Sequence, residues 1–198
     1  MSIILKKHIM KKILIIGMLI GVVFSCKAQT LPIEKKIDYI IARNGIPQSV
    51  TYLQDSNNLL DKFIGTWNGV YQDKIFEFRI SKVTVMPGRI KEDILIIRYL
   101  IKNTNGVVFE DTRALPQSSP LVIKGDYIES TTYALNYIGN NSKCGRSGTI
   151  FIDWLKGSNN TKMTLFLEPE QMIISSQECP NGRVAQIIPQ EQIILTKQ

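Results

Sequence analysis

The chain has 198 residues, 44% of them hydrophobic, and a formal net charge of +7 from 24 basic and 17 acidic side chains. Four of the lysines lie among residues 6–12, before an apolar run, and no acidic residue occurs before Glu34, so the rest of the chain has only a mild positive excess. A nucleic-acid surface needs a dense basic patch. No such patch follows residue 12, so no nucleic-acid partner is expected.

The first 25 residues have the layout of a secretory signal. Lysines precede an apolar run from Ile13 to Phe24, and this run is shorter than the roughly 20 residues that a membrane-spanning helix needs. A buried helix is the alternative interpretation. Met10 offers a second start for the same signal, so the sequence leaves open whether translation begins at Met1 or Met10.

The tetrapeptide Val23-Phe24-Ser25-Cys26 resembles the lipobox of bacterial lipoproteins. This resemblance implies that residues 1–25 are removed and that Cys26 becomes the lipidated first residue of the mature chain. Each buried CH₂ of an acyl chain adds about 0.8 kcal/mol of membrane affinity, so several chains would anchor the protein permanently. We therefore expect a lipid-anchored protein in the bacterial cell envelope, at the outer membrane, with the membrane as its partner. The sequence does not indicate which side it faces.

Residues 26–54 are predicted to hold the anchor, a linker and one short helix. The helix is expected within 30–45, ends at Asn44-Gly45, and places four isoleucines on one face. These are Ile33, Ile37, Ile40 and Ile41. Residues 46–58 are predicted to be irregular. The overlapping segment DSNNLLDKF, which begins at Asp55, is typical of a one- or two-turn helix capped by that residue.

Residues 55–198 are predicted to form a single β domain, because the hydrophobic pattern has a period of two after Gly65. In IFEFRISKV the residues Phe76, Phe78 and Ile80 alternate with polar ones. Further segments of this kind are separated by turn signals: ILIIRYLIK, VVFEDT, LVIKG, YIESTTYALNYI, GTIFIDWL, MTLFLEP and QIILTK. Eight or nine strands with no central helix predict an all-β fold, an antiparallel barrel or, as the alternative, a β-sandwich.

The stretch LLDKFIGTWNGVY resembles the start of a calycin barrel, the lipocalin-type fold, in which Gly-x-Trp begins the first strand. Gly65 and Trp67 match that pattern. The resemblance implies that Trp67 closes one end of a barrel and that a basic side chain from the last strand, here Lys197, lies across it. More broadly, SCKAQ, YLQDSNNLLDKFIGTW and PQEQIILTKQ together resemble a family of small bacterial lipoproteins of unknown function.

Cys144 and Cys179 remain once Cys26 is assigned to lipid, and an oxidising compartment favours a disulfide between them. Both lie in polar, glycine-containing stretches, NNSKCGRSG and SQECPNGR, which are typical of loops. The bond would tie two loops together and stabilise the fold by roughly 4 kcal/mol in the chain-entropy model. The alternative is a pair of unpaired, exposed thiols.

Most catalytic chemistry is excluded by the absence of histidine after residue 25, since His8 is the single histidine of the chain. A Ser-His-Asp triad, a Cys-His dyad and the usual zinc sites all need histidine. The acidic residues that a hydrolase would need are expected on the surface: Glu110, Asp111, Asp153, Glu168 and Glu170. The sequence therefore predicts a protein that is not an enzyme, with no cofactor and no metal.

Two functions fit these observations. The first is a membrane-anchored protein that binds a small hydrophobic ligand inside the barrel. The inward candidates for ligand contact are Trp67, Phe76, Phe78, Tyr99 and Trp154. The alternative is a protein-interaction or inhibitor module of the envelope that acts through the loops around Cys144 and Cys179.

Overall fold

The structure, a computed structural model, describes residues 29–198. The predicted signal and the lipidation of Cys26 lie outside the described residues. The described chain contains one α-helix, α1 (Lys36–Ala42), and short 3₁₀ turns at Ile33–Lys35, Asp61–Phe63 and Ser142–Cys144. Its strands are β1 (Gln29–Pro32), β2 (Val50–Gln54), β3 (Gly65–Tyr71), β4 (Lys74–Val85), β5 (Lys91–Asn103), β6 (Val108–Asp111), β7 (Ile123–Glu129), β8 (Thr132–Ile138), β9 (Ser147–Trp154), β10 (Lys162–Pro169) and β11 (Ile193–Lys197).

Eight of these strands close an antiparallel barrel. Its order is β5-β4-β3-β11-β10-β9-β8-β7, and β7 pairs again with β5. Strands β3 and β11, which are far apart in sequence, pair with Trp67 opposite Lys197. The barrel is closed by the pairing of β5 with β7, in which Ile97 lies opposite Ile123. The predicted all-β fold is confirmed, and it is a barrel and not a sandwich because no pair of sheet edges is left between these eight strands.

Strands β6 and β7 share one position in the barrel wall. Strand β5 pairs with β6 at Leu100 and Asp111, and further back along its length it pairs with β7 at Ile97 and Ile123. The intervening residues 112–122 leave the wall and cover its outer surface. Their position is held by the Arg98 guanidinium, whose Nε donates to the Leu115 carbonyl at 2.9 Å.

Strand β5 is apolar on both faces for this reason. Leu95, Ile97, Tyr99 and Ile101 belong to the core inside the barrel. Ile94 and Ile96 point outward and form a second cluster with Val122 from the covering segment. On β4 only one face is buried: Phe76, Phe78 and Ile80 lie in the core, as the alternating pattern predicted.

The chain before Gly65 differs from its prediction. Residues 46–58 were expected to be irregular, but Val50–Gln54 forms β2, which runs parallel to β5 with Tyr52 opposite Lys91. Strand β1 then pairs parallel with β2, so both extend the sheet of the barrel. The sequences of these short strands give little indication of a strand, because strand formation there depends on pairing with segments distant in sequence. The domain boundary at residue 55 stays a prediction.

The short helix is confirmed, but its packing differs from the expectation. Ile33 is buried in the barrel core, while Ile40 and Ile41 are exposed.

Asp55 caps the segment that follows β2, because its carboxylate accepts hydrogen bonds from the amides of Leu59 at 2.7 Å and Leu60 at 3.2 Å. That segment forms turns and not a full helix. Within residues 29–198 no helix is both long and apolar enough to cross a membrane.

Candidate functional site

The indole of Trp67 is buried at the end of the barrel where β3 begins, which we call the Trp67 end. Trp67 is fully buried, and its Nε1 donates to the Phe63 carbonyl at 2.7 Å. The Lys197 ammonium lies 5.2 Å from the centre of the Trp67 ring. Gly65 has a φ of 134°, and a Cβ there would lie 2.7 Å from Cε of Lys197. Trp67, Gly65 and Lys197 are therefore packed together, and their role in closing this end of the barrel stays a prediction.

The aromatic residues predicted to contact a ligand pack against one another inside the barrel. The Phe76 and Phe78 rings stack with centroids 6.0 Å apart, and the Phe78 and Tyr99 centroids are 6.2 Å apart. Trp154 is only partly buried and lies near the Lys62 ammonium, at the Trp67 end. Neither these four residues nor Trp67 lines any of the four main surface pockets of the described chain. Their role as ligand contacts stays a prediction.

The most apolar of these pockets lies on the outside of the barrel, and we call it the outer-wall pocket. Its volume is about 720 Å³, which is in the usual range for small-molecule sites. It lies between the β4–β5 hairpin, the outer face of β5, the start of β7 and the covering segment. Its lining consists of Val85, Met86, Pro87, Glu92, Ile94, Ile96, Gln117, Ser118, Lys124 and Gly125.

The lining of this pocket combines an apolar hairpin, beside which Glu92 lies opposite Val85, with polar residues from the covering segment and β7. At the hairpin it is formed by Val85, Met86 and Pro87, and the Met86 side chain is 64% exposed. At the covering segment and β7 it is formed by Gln117, Ser118 and Lys124. The buried side chains of Ile94 and Ile96 form the floor between these ends.

An ion-paired cluster borders the pocket and attaches α1 to the barrel. The Lys36 ammonium contacts the Glu92 carboxylate at 2.6 Å and the Asp126 carboxylate at 3.0 Å. Burial raises the pKa of Glu92, while the Lys36 ammonium opposes this rise. The Glu92 carboxylate in the pocket lining is therefore already paired with the Lys36 ammonium.

The hairpin at the apolar end of the pocket also holds the start of the described chain. Nη1 of Arg89 donates to the carbonyls of Gln48 at 2.8 Å and Val50 at 2.6 Å. The Gln29 amide donates to the Ser49 carbonyl at 3.1 Å. Gln29 therefore lies at the same hairpin as the mouth of the pocket.

The opposite end of the barrel carries the loops around the two cysteines. Cys144 and Cys179 form a disulfide, as predicted. The loops are joined further by the Val184 amide, which donates to the Cys144 carbonyl at 2.8 Å. Between these tied segments and β10, Ile173 is 99% exposed.

Glu110 is a residue that the sequence interpretation placed wrongly. It was expected on the surface, but it is 5% exposed and accepts a hydrogen bond from the Tyr99 hydroxyl at 2.7 Å. The Arg146 guanidinium lies 3.5 Å from its other oxygen. The burial of Glu110 depends on β6 being part of the barrel wall, where β6 pairs with β5. Among residues 29–198 no three acidic, histidine or cysteine side chains are grouped to hold a metal.

Comparisons with curated proteins and with solved structures found no match. The sequence model of one family matches residues 10–198. The match covers the barrel, the N-terminal extension formed by residues 29–54 and the segment around Cys26. The chain belongs to the family of unknown function DUF6705.

Proposed function

We propose that this protein is a lipid-anchored protein of the bacterial envelope that binds a small apolar molecule in the outer-wall pocket. The observation that carries the binding role is the pocket itself, about 720 Å³ in volume, with two buried isoleucines as its floor. Ligand sites are typically concave and mostly apolar, with a few polar groups that fix orientation. This proposal places the ligand on the outer wall of the barrel and not in its interior.

The anchor is supported by the sequence before the described residues. The lipobox-like tetrapeptide ends at Cys26, and the family match begins at residue 10 and includes the apolar run. The test is the intact mass and membrane association of the protein expressed in a bacterial host. Wild-type protein is expected to begin at Cys26, to carry acyl mass and to sediment with membranes. A wild-type chain without acyl mass would overturn the anchor.

The pocket is tested by native mass spectrometry of protein purified from its own host. A discrete mass excess that is lost on denaturation is expected for the wild type. Ser118→Trp should remove this excess, because Ser118 is an exposed lining residue and an indole there would fill the pocket. Ala114→Trp is the matched control, since Ala114 is exposed in the same segment but does not line the pocket. A wild type without mass excess, or an excess that survives Ser118→Trp, would overturn the proposed site.

A protein-interaction role is the second candidate, and the exposure of Ile173 favours it. Ile173 is 99% exposed beside the disulfide-tied loops, so its side chain is available for contact with a partner protein. A photo-crosslinking residue at position 173 should give one defined adduct in intact cells. The same residue at Ile194, 56% exposed on the barrel wall, is the control. Equal labelling at both positions would contradict this role.

A further inference from the structure

We infer that the outer-wall pocket takes an anionic single-chain amphiphile, a fatty-acid type of molecule, with its head at Lys124 and its tail toward Met86. This inference rests on the proposed binding function and names the class of ligand. It places the molecule against the outer face of β5 and not inside the barrel.

The shape of the ligand follows from the order of the lining residues. The lining residues of the covering segment and β7 are polar: Gln117, Ser118 and Lys124. Those of the hairpin are apolar, and the Glu92 carboxylate beside them is already paired with Lys36. A molecule that is polar at one tip and apolar along its length matches this order. A uniformly apolar molecule would leave the Lys124 ammonium without a partner in a partly desolvated site, which is unfavourable.

The sign of the head group follows from the charges at the pocket. Glu92 is the carboxylate of the lining, and the Lys36 ammonium contacts it at 2.6 Å while also pairing with Asp126. Within residues 29–198, Lys124 makes no ion pair and donates no side-chain hydrogen bond. The Lys124 ammonium is therefore free to bind an anion, and a carboxylate there would gain a charge-assisted hydrogen bond.

The position of the proposed anchor indicates where such a molecule comes from. Gln29 lies at the hairpin that forms the apolar end, and Cys26 precedes it by three residues. Three extended residues span at most about 10 Å. An acyl anchor on Cys26 would therefore hold the mouth of the pocket close to the bilayer, which is a reservoir of single-chain amphiphiles.

The test compares decanoate with decan-1-ol by isothermal titration calorimetry, because the two share a chain length and differ in head-group charge. The protein is the mature chain from residue 26 with Cys26→Ser, so that it lacks only the acyl anchor. Wild-type protein is expected to bind decanoate about tenfold more tightly than decan-1-ol. Lys124→Met should bring decanoate down to the affinity of decan-1-ol and leave decan-1-ol binding unchanged.

Two further variants separate the possible outcomes. Lys156→Met, in the loop after β9 and away from the pocket, should keep the wild-type preference. Ser118→Trp should weaken both probes. If neither probe binds wild-type protein, or if Ser118→Trp leaves both unchanged, the proposed pocket function fails together with the inference. If both bind in the pocket but decan-1-ol binds as tightly as decanoate, or Lys124→Met leaves the preference intact, only the inference fails.

Discussion

Lys197 lies across Trp67, with its ammonium 5.2 Å from the ring centre and its stem against Gly65. The two residues are also register partners, one on β3 and one on β11. A cation over an indole face contributes about 0.5–2 kcal/mol, depending on how much water is excluded. The contact therefore joins the two strands through side chains at the position where they pair through the backbone.

Gly65→Ala is expected to lower the free energy of unfolding by roughly 1–3 kcal/mol, because residues with side chains are strained at a φ of 134°. The new Cβ would also press against Cε of Lys197. Urea denaturation measures the effect. Gly88→Ala is the control, since nothing lies within 4 Å of its added Cβ. Lys197→Ala should relieve part of the Gly65→Ala cost in a double-mutant cycle, and strict additivity would contradict the contact.

Two buried tyrosines of β8 should respond differently to loss of the hydroxyl group. The Tyr133 hydroxyl accepts a hydrogen bond from the Leu95 amide at 3.2 Å, so Tyr133→Phe leaves a buried donor unpaired. We expect a loss of about 1–3 kcal/mol. The Tyr137 hydroxyl has no hydrogen-bond partner within the described chain, so Tyr137→Phe should be neutral or stabilising. Thermal and urea unfolding of both variants measure this contrast, and equal losses would contradict it.

Gly125 gives an independent check of the same contact. A Cβ at Gly125 would overlap the Tyr133 hydroxyl, so Gly125→Ala must displace that hydroxyl from the Leu95 amide. Hydrogen exchange at Leu95 should accelerate in Gly125→Ala and in Tyr133→Phe. Exchange at Leu165, in the core on the opposite side of the barrel, should change only as far as global stability changes. If the Leu95 amide exchanges as slowly in both variants as in the wild type, it must donate its hydrogen bond to another acceptor.

Removal of the disulfide should loosen one end of the molecule more than the other. Cys144→Ala combined with Cys179→Ala is expected to lower the free energy of unfolding by about 3–4 kcal/mol in the chain-entropy model. The Val184 amide, which donates to the Cys144 carbonyl, should exchange faster, while amides near Trp67 keep their relative protection. Wild-type protein treated with a thiol reductant is the control and should match the double variant.

The stability of the N-terminal extension should depend on pH through Asp93. Burial alone would raise the pKa of Asp93, but hydrogen bonds from Thr84, the Asp55 amide and Tyr52 hold it below its usual value. A carboxyl with a lowered pKa stabilises the fold above its unfolded pKa of about 3.9, and this contribution is lost as the pH falls through the folded value. The stabilisation is therefore fully present at pH 7.

Asp93→Asn is accordingly expected to cost about 1 kcal/mol at pH 7 and progressively less below about pH 4. Urea denaturation across this pH range gives the comparison. Asp73→Asn, at an exposed hairpin position, serves as the control and should change stability little at any pH. A cost of Asp93→Asn that stays constant between pH 7 and pH 3 would contradict the role of the ionised carboxylate.

Local patterns predicted most of the barrel strands but not the pocket. They missed the β7–β8 turn, because the single predicted segment YIESTTYALNYI contains the end of β7, a turn at Ser130 and β8. The alternation around Phe76 and Phe78 predicts a strand with one buried face, and that face is buried. Strand β5 is apolar on both faces, but nothing local identified the segment that covers it, because residues 112–122 show no alternating hydrophobic pattern and contain two prolines and two serines. Glu110 shows the same limit. Its burial depends on partners such as Tyr99 and Arg146, which are distant in sequence.

The pairing of β3 with β11 has a consequence for synthesis. Strand β3 lies early in the chain, and β11 follows every other strand. Until β11 emerges, β3 and β10 each present an unpaired edge, and open edges are where strands join other chains. Contacts between segments so distant in sequence also form slowly. The growing chain is therefore most prone to aggregation just before its last strand becomes available.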